Sequence, residues 1–409
     1  MQRRFKSLND QRKDPHAAGP MEETMPVSRI ITTLTALTAF AVVAATTPIP
    51  QAQAQAQAQE VPALAAIKDP TEKARVAALI EQAKKENALA WIGVQIEPGH
   101  ADPIMAEFKK YYGLNDTKAE YTYAATGAIV TRVEQLLKAK RNSFDIVWNA
   151  SWAWYKDLVK RGEVMKYESP NYAAYTLSDK HGMSLKGYWV ADAYAFAPIY
   201  NTAAMEKIGL KNFQPTSWKD FVDPKLAGHL AMIDVLISAS AAPVLSGVVK
   251  VMGDDWFKAL GQLKPTLHSK AAQGRDWVGS GEFAAALFNS PKDALSLQQR
   301  NLPTKQVFPK EGVVLVPFAP IIPASAPHPA TAKLFVDFVR SAHGTQIMMN
   351  AGSLLFFGRP GVKPKYPDVL PSSENVKAIP FNWDTEATNA VVKAFRDKAR
   401  AVGIGSSKS

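Results

Sequence analysis

The groups in this sequence most able to do chemistry are suited to holding a ligand rather than to breaking one. Arg275 stands in Gln273-Gly274-Arg275-Asp276-Trp277, read as a loop. A guanidinium clamps a carboxylate or phosphate through two parallel hydrogen bonds; the alternative is a surface pair with Asp276. Thr126-Gly127-Ala128 opens an amphipathic helix. N–H groups at a helix start lack internal partners, the dipole there favours negative charge, and small residues permit close approach. A plain N-cap is the other reading. Asn149 and Ser151 follow a strand end, where open α/β sheets place ligands, unless they only cap the next helix. Trp148, Trp152 and Trp154 gather at the same edge, as an aromatic wall or, for Trp148, as core. The Tyr200 phenol either meets a ligand or packs a hinge.

Signatures of covalent or hydrolytic chemistry are missing. There is no Gly-x-Ser-x-Gly elbow, no His-Glu-x-x-His and no phosphate loop ending in Gly-Lys-Ser/Thr. The seven histidines are scattered, and His328 and His343 lack metal-ligand spacing. With no cysteine, a disulfide, a thiolate metal site and a lipid-modified N-terminal Cys are excluded. The net charge of +11 fits a solvated basic surface or an anionic ligand. Basic residues sit singly or in pairs among acids, as in Lys84-Lys85-Glu86, which argues against a nucleic-acid stripe.

These groups need elements to position them. Residues 1–59 combine a basic start, an apolar stretch over 30–45 and a Gln-Ala repeat with Ala-x-Ala sites. That pattern reads as a secretory signal, the apolar stretch being short for a membrane span; a single anchoring helix is the alternative. Beyond it, Thr71 caps a helix, a strand covers 88–94, Glu97-Pro98-Gly99 forms a loop and Asp102-Pro103 starts a helix. Strands at 119–123 and 144–148, each followed by a helix, imply a parallel sheet clothed by helices. A long extended run over 188–200 is a candidate crossover, and a second over 312–322 returns the chain. Between them lie a short capped helix at Ser217, a strand over 229–234 and a helix over 243–263 broken at Gly253. Helices at 330–341, 345–351 and 385–402 follow. The expected division is 1–59 signal and linker, 60–195 first lobe, 196–312 second lobe, and 313–409 return to the first lobe with the C-terminal helices. A cleft between two α/β lobes suits a ligand, and two extended connectors suit a hinge.

At this point the chain resembles a known family: the iron- and spermidine/putrescine-like branch of type II periplasmic substrate-binding proteins of ABC importers. The resemblance runs over roughly 88–360. It is carried by Phe144-Asp145-Ile146-Val147-Trp148, by Ile199-Tyr200-Asn201, by Val278-Gly279-Ser280-Gly281-Glu282 and by Ala332-Lys333-Leu334-Phe335-Val336-Asp337-Phe338. The most specific segment is Pro215-Thr216-Ser217-Trp218-Lys219-Asp220-Phe221 with Asp223-Pro224-Lys225 and Gly228. The resemblance implies an α/β, two-lobed periplasmic binding protein type II fold, with the ligand cleft between lobes joined by two extended hinge strands. It implies an extracellular solute-binding protein that docks on a permease in the inner membrane, works in the periplasm as a monomer, binds no nucleic acid and carries no cofactor. Its ligand-binding positions fall on Gln95, Thr126, Gly127, Asn149, Ser151 and Ser238, with Ser240 as an addition.

Ferric-binding members place an adjacent Tyr pair after the Ser-Gly-Glu segment, because phenolates suit Fe(III). Here that stretch reads Ala286-Leu287-Phe288-Asn289-Ser290-Pro291, without tyrosine. Polyamines want cleft carboxylates, and only Glu97, Asp192 and Asp234 stand near suitable loops. A small organic anion is therefore the expected cargo, ahead of iron, an iron chelate or a polyamine. A periplasmic enzyme or a receptor subunit on the same fold are the rival readings.

Overall fold

A computed structural model describes residues 60–404, apart from residues 237, 239–240, 270, 354–357, 373–374 and 384. The export signal and Ser240 lie outside the described residues.

The chain enters through α1 (Pro62–Ala66) and α2 (Pro70–Glu86). Asp69, not Thr71, caps α2, accepting from the Thr71 and Glu72 N–H groups at 3.3 and 3.0 Å. Pro70 takes the first helical position, where its missing N–H costs nothing, and this puts the cap immediately before it, at Asp69. Asn87 ends the helix in the left-handed region. Then come β1 (Ala88–Gly93), α3 (Pro98–Tyr112), β2 (Lys118–Tyr123), α4 (Thr126–Lys138), β3 (Ile146–Asn149) and α5 (Trp152–Lys160). The α3 helix begins at Pro98 and carries Pro103 inside it, so the expected loop at 97–99 is its first turn. The short α6 (Thr176–Lys180) leads to β4 (Asp192–Ala195).

The extended run over 188–200 is two strands. β4 stays with the first sheet, and β5 (Ala197–Asn201) belongs to a second. The second group continues with α7 (Thr202–Lys207), β6 (Leu230–Ile233), α8 (Ala241–Met252), α9 (Asp254–Gln262), β7 (Thr266–His268), α10 (Ala271–Ser280), β8 (Ala285–Asn289), α11 (Pro291–Gln299) and β9 (Thr304–Gln306). The chain returns through β10 (Val313–Ile321), α12 (Pro329–Arg340), α13 (Ala342–Asn350), β11 (Ala378–Ile379) and α14 (Thr385–Ala401).

The first sheet has the order β11-β10-β3-β1-β2, with β4 also on β10; the second runs β7-β6-β8-β5-β9. β1 is parallel to β2 and β3, and β6 to β7 and β8, while β10 runs antiparallel to β3 and β4. Helix-covered parallel strands are buried on both faces and read as continuous apolar runs. β8 (Ala-Ala-Leu-Phe-Asn), parallel to β6, is buried at every position, and so is the mostly antiparallel β10 (Val-Val-Leu-Val-Pro-Phe-Ala-Pro-Ile).

The motifs behind the family resemblance prove to be structural. Asp145, buried at the start of β3, accepts from the Ala90 and His328 N–H groups, both at 2.7 Å, and so ties β1 to the entry of α12. Ser217 and Asp220 form a reciprocal cap. It seats Trp218, which is fully buried and donates to the Gly312 carbonyl at 2.9 Å. Gly281 turns the chain with φ +77°, a conformation suited to glycine. Arg340 on α12 and Asp192 on β4 form an ion pair with both side chains 0% exposed. The guanidinium also lies 5.2 Å from the ring centroids of both Trp148 and Tyr175.

Candidate functional site

A cavity of about 620 Å³ is lined by residues from both sheet groups and from the C-terminal segment. Strand-end loops of the first group supply Val94, Gln95, Tyr123 and Thr126, and the start of α5 supplies Ser151, Trp152 and Trp154. The floor comes from the connectors: Tyr194 and Phe196 at the crossover, and Val316 and Phe318 on β10. Ile233, Pro243 and Lys292 line it from the second group. The remaining wall is C-terminal, with Trp383 and then Asn389, Val392 and Arg396 of α14.

Local structure explains these positions. α4 starts without a side-chain cap, so Thr126 reaches the cavity with its helix N–H groups uncommitted to a cap. Ser151 is set by Asn149, whose Oδ1 accepts the Ser151 N–H at 2.7 Å. The Tyr155 hydroxyl accepts from the Asn149 N–H at 2.8 Å and lies 2.9 Å from the carbonyls of both Val147 and Ala319. Lys292 is the second residue of α11, behind the reciprocal cap of Ser290 and Asp293. It forms an ion pair with Glu97, the residue before α3, so a salt bridge spans the cleft. Burial works to lower the Lys292 pKa, but Glu97 outweighs it and the net direction is upward. Burial, then Asp293, pushes the Tyr194 phenol far above its ordinary value. Trp154 and Trp383 present apolar ring surface and no donor, because their indole N–H groups donate elsewhere: to Glu134 at 2.6 Å and to the Leu315 carbonyl at 3.1 Å.

Of the residues expected to bind, Gln95, Thr126 and Ser151 line the cavity together. Gly127 is an exposed helical residue whose added Cβ would meet nothing within 4 Å. Asn149 is fully buried and positions Ser151. Ser238 accepts from the Ala241 N–H at 3.2 Å, at the entry to α8. Tyr200 is 3% exposed and packs on Phe213 inside the second group. Arg275 lies on α10 rather than a loop, pairs with Asp276 at 3.0 Å, and is outside the cavity lining. The surface-pair alternative describes it. Trp152 and Trp154 line the wall; Trp148 is core, 1% exposed.

Lys292 and Arg396 were not found from the sequence. Lys292 had a signal: Ser290-Pro291 opening a helix after a strand. Arg396 had none, since nothing local says that a C-terminal helix folds back over the cleft.

The lining among the described residues holds two cations and no carboxylate. Of the carboxylates considered for a polyamine, Glu97 is paired with Lys292 and Asp192 with Arg340, while the buried Asp234 accepts from the Leu236 N–H at 2.8 Å through Oδ1 and has no partner for Oδ2 among the described residues. Among the described residues no group of three or more His, Asp or Glu is placed to hold a metal ion.

Residues 142–385 match the bacterial extracellular solute-binding protein family, and the chain belongs to it. Three solved structures share the fold at low identity. The periplasmic binding protein AfuA of Actinobacillus pleuropneumoniae, with exogenous fructose-6-phosphate bound, is 18% identical with a TM-score of 0.62, over 76% of this chain and 99% of its own. The substrate binding protein of an ABC transporter from Agrobacterium tumefaciens is 16% identical with a TM-score of 0.60, over 76% and 93%. Iron-bound HitA of Pseudomonas aeruginosa is 19% identical with a TM-score of 0.56, over 78% and 99%. The architecture is thus the two-lobed fold of periplasmic binding proteins.

Proposed function

We propose that the chain captures a small organic anion in the cleft between its lobes and delivers it to the permease of an ABC importer, acting in the periplasm after export and performing no chemistry on its cargo. The observation that carries this is the lining, which has Lys292 and Arg396 and no carboxylate. A buried anion needs a cationic or hydrogen-bonding partner, and a cation placed there would meet uncompensated like charge. Gln95, Thr126 and Ser151 add neutral polar groups at the strand ends. The lobes we propose are 60–195 with the return from 313, and 196–312.

The test is a thermal-shift panel on the purified, cargo-stripped protein with organic acids, sugar phosphates, polyamines and ferric citrate. An anion should raise the melting temperature, the gain being about 2.7 kcal/mol at one hundred times Kd. Stabilisation by a polyamine or ferric citrate alone would overturn the anion, and turnover of any compound would overturn capture without chemistry.

A further inference from the structure

We infer that the cargo is a planar aromatic monocarboxylate, and that the C-terminal helix supplies its anion-binding group, Arg396. The inference rests on the capture reading above and names the ligand class of the same cleft.

The charge comes first. Lys292 is already paired with Glu97, which leaves Arg396 as the uncompensated cation of the described lining. Among the described residues its guanidinium makes one hydrogen bond, Nε to the Val235 carbonyl at 3.2 Å. That bond ties α14 to the loop after β6, at the carboxyl end of a parallel strand, and it leaves the two terminal nitrogens as a fork. A fork of two N–H donors matches a carboxylate. One unpaired positive charge balances one negative charge, where a phosphate dianion or citrate would bring two or three.

The ligand body follows from the walls. Trp154, Trp383, Phe196 and Phe318 line the cavity. Both indole N–H groups are spent on Glu134 and Leu315, so these rings offer faces and edges. The walls are mostly ring and aliphatic surface, with Gln95, Tyr123, Thr126, Ser151 and Asn389 as neutral polar groups, so a ligand with a hydroxyl on every carbon would leave some unmatched, and each of those costs affinity. An aromatic ring loses nothing of the kind and gains face and edge contacts. Trp383 is held by its own hydrogen bond and by Phe381, 4.5 Å away between ring centroids, so its face is set before the ligand arrives.

The test is calorimetry with the full processed chain, stripped of cargo, using benzoate, 4-hydroxybenzoate and phenylacetate. The comparison probes are benzamide, cyclohexanecarboxylate, fructose 6-phosphate, citrate and spermidine. At least one aryl carboxylate should bind in the micromolar range, and more tightly than cyclohexanecarboxylate. Benzamide, which has the ring without the charge, should bind about 30-fold more weakly, as should the aryl carboxylate to R396Q. K393A, on the same helix but outside this cavity, should bind like wild type. Binding of fructose 6-phosphate or citrate with no aryl carboxylate binding overturns the ligand class and leaves anion capture standing. Equal binding of benzamide and benzoate, or unchanged affinity in folded R396Q, overturns the role of Arg396. Binding of no probe, or conversion of one, removes the capture reading beneath.

Discussion

Replacing Arg340 by methionine should cost about 3–5 kcal/mol, the range for breaking a fully buried ion pair from one side. Both partners are completely buried. With Arg340 gone, the Asp192 carboxylate keeps one described hydrogen bond, from the Gly358 N–H at 3.3 Å. Methionine fills much of the volume between Trp148 and Tyr175, so the loss is mainly electrostatic rather than a cavity. For a chain of this size each kcal/mol moves the melting temperature by roughly 1.5 °C, which gives a fall of about 4.5–7.5 °C. The informative measurement is the cycle of R340M, D192L and the double variant, followed by urea unfolding. Among the described residues Nε and Nη2 of Arg340 have no hydrogen-bond partner. The wild-type pair is thus incompletely satisfied, and an apolar replacement of both partners forfeits less than either single change. The double variant should recover at least about 2 kcal/mol relative to R340M. Additive losses, or an R340M penalty under about 1 kcal/mol, would show that the pair is not the buried electrostatic unit described.

Three further outcomes are expected. Burial alone would raise the Glu311 pKa, but hydrogen bonds from Ser217 and Trp218 overcome it and hold it below the ordinary value. Its stabilising contribution is therefore present above the unfolded carboxylate value near 4.3 and lost as pH falls through the lower folded value. E311Q should flatten the acid limb of a pH–stability curve between about pH 5 and 3. Adding a methyl group at Gly261 would place it 2.2 Å from the Val402 carbonyl, so G261A should shift the end of α14, cost about 1–3 kcal/mol and weaken anion binding; calorimetry and melting on the same sample check both. K292A, which breaks the bridge to Glu97 across a partly exposed cleft, should cost under about 1 kcal/mol in stability, yet reduce the salt sensitivity of ligand association measured by stopped flow.

Much of the architecture was legible because it is written locally. Strand–helix alternation, the break at Gly253 and the Ser217–Asp220 cap all lie within a few residues of their cause. The errors at Thr71 and Asp102 have one origin, a proline at the first helical position: the cap of α2 is Asp69, just before Pro70, and α3 starts at Pro98. The site was only half legible. Gln95, Thr126 and Ser151 follow strand ends, a rule sequence can apply. Tyr200 and Arg275 obeyed equally good chemical arguments, but strand register turned one into a core and α10 carried the other away. Arg396, Trp383 and Phe318 meet through contacts between residues far apart in sequence, which no local pattern encodes.

The strands that flank the crossover, β4 and β10, pair with each other within the first sheet, Asp192 with Phe318 through Ala195 with Leu315. Such a ribbon behaves like a leaf spring. Bending out of its plane leaves the ladder intact, whereas sliding one strand along the other breaks every rung. A relative motion of the two proposed lobes should therefore be a rocking about this ribbon rather than a slide along it. In such a motion Tyr194 and Phe318, on the ribbon itself, should move less than Thr126, at the start of α4. Selection among cargos should then be strict at the floor and tolerant at the mouth, so that substituents added to a bound solute are accepted or refused according to which way they point.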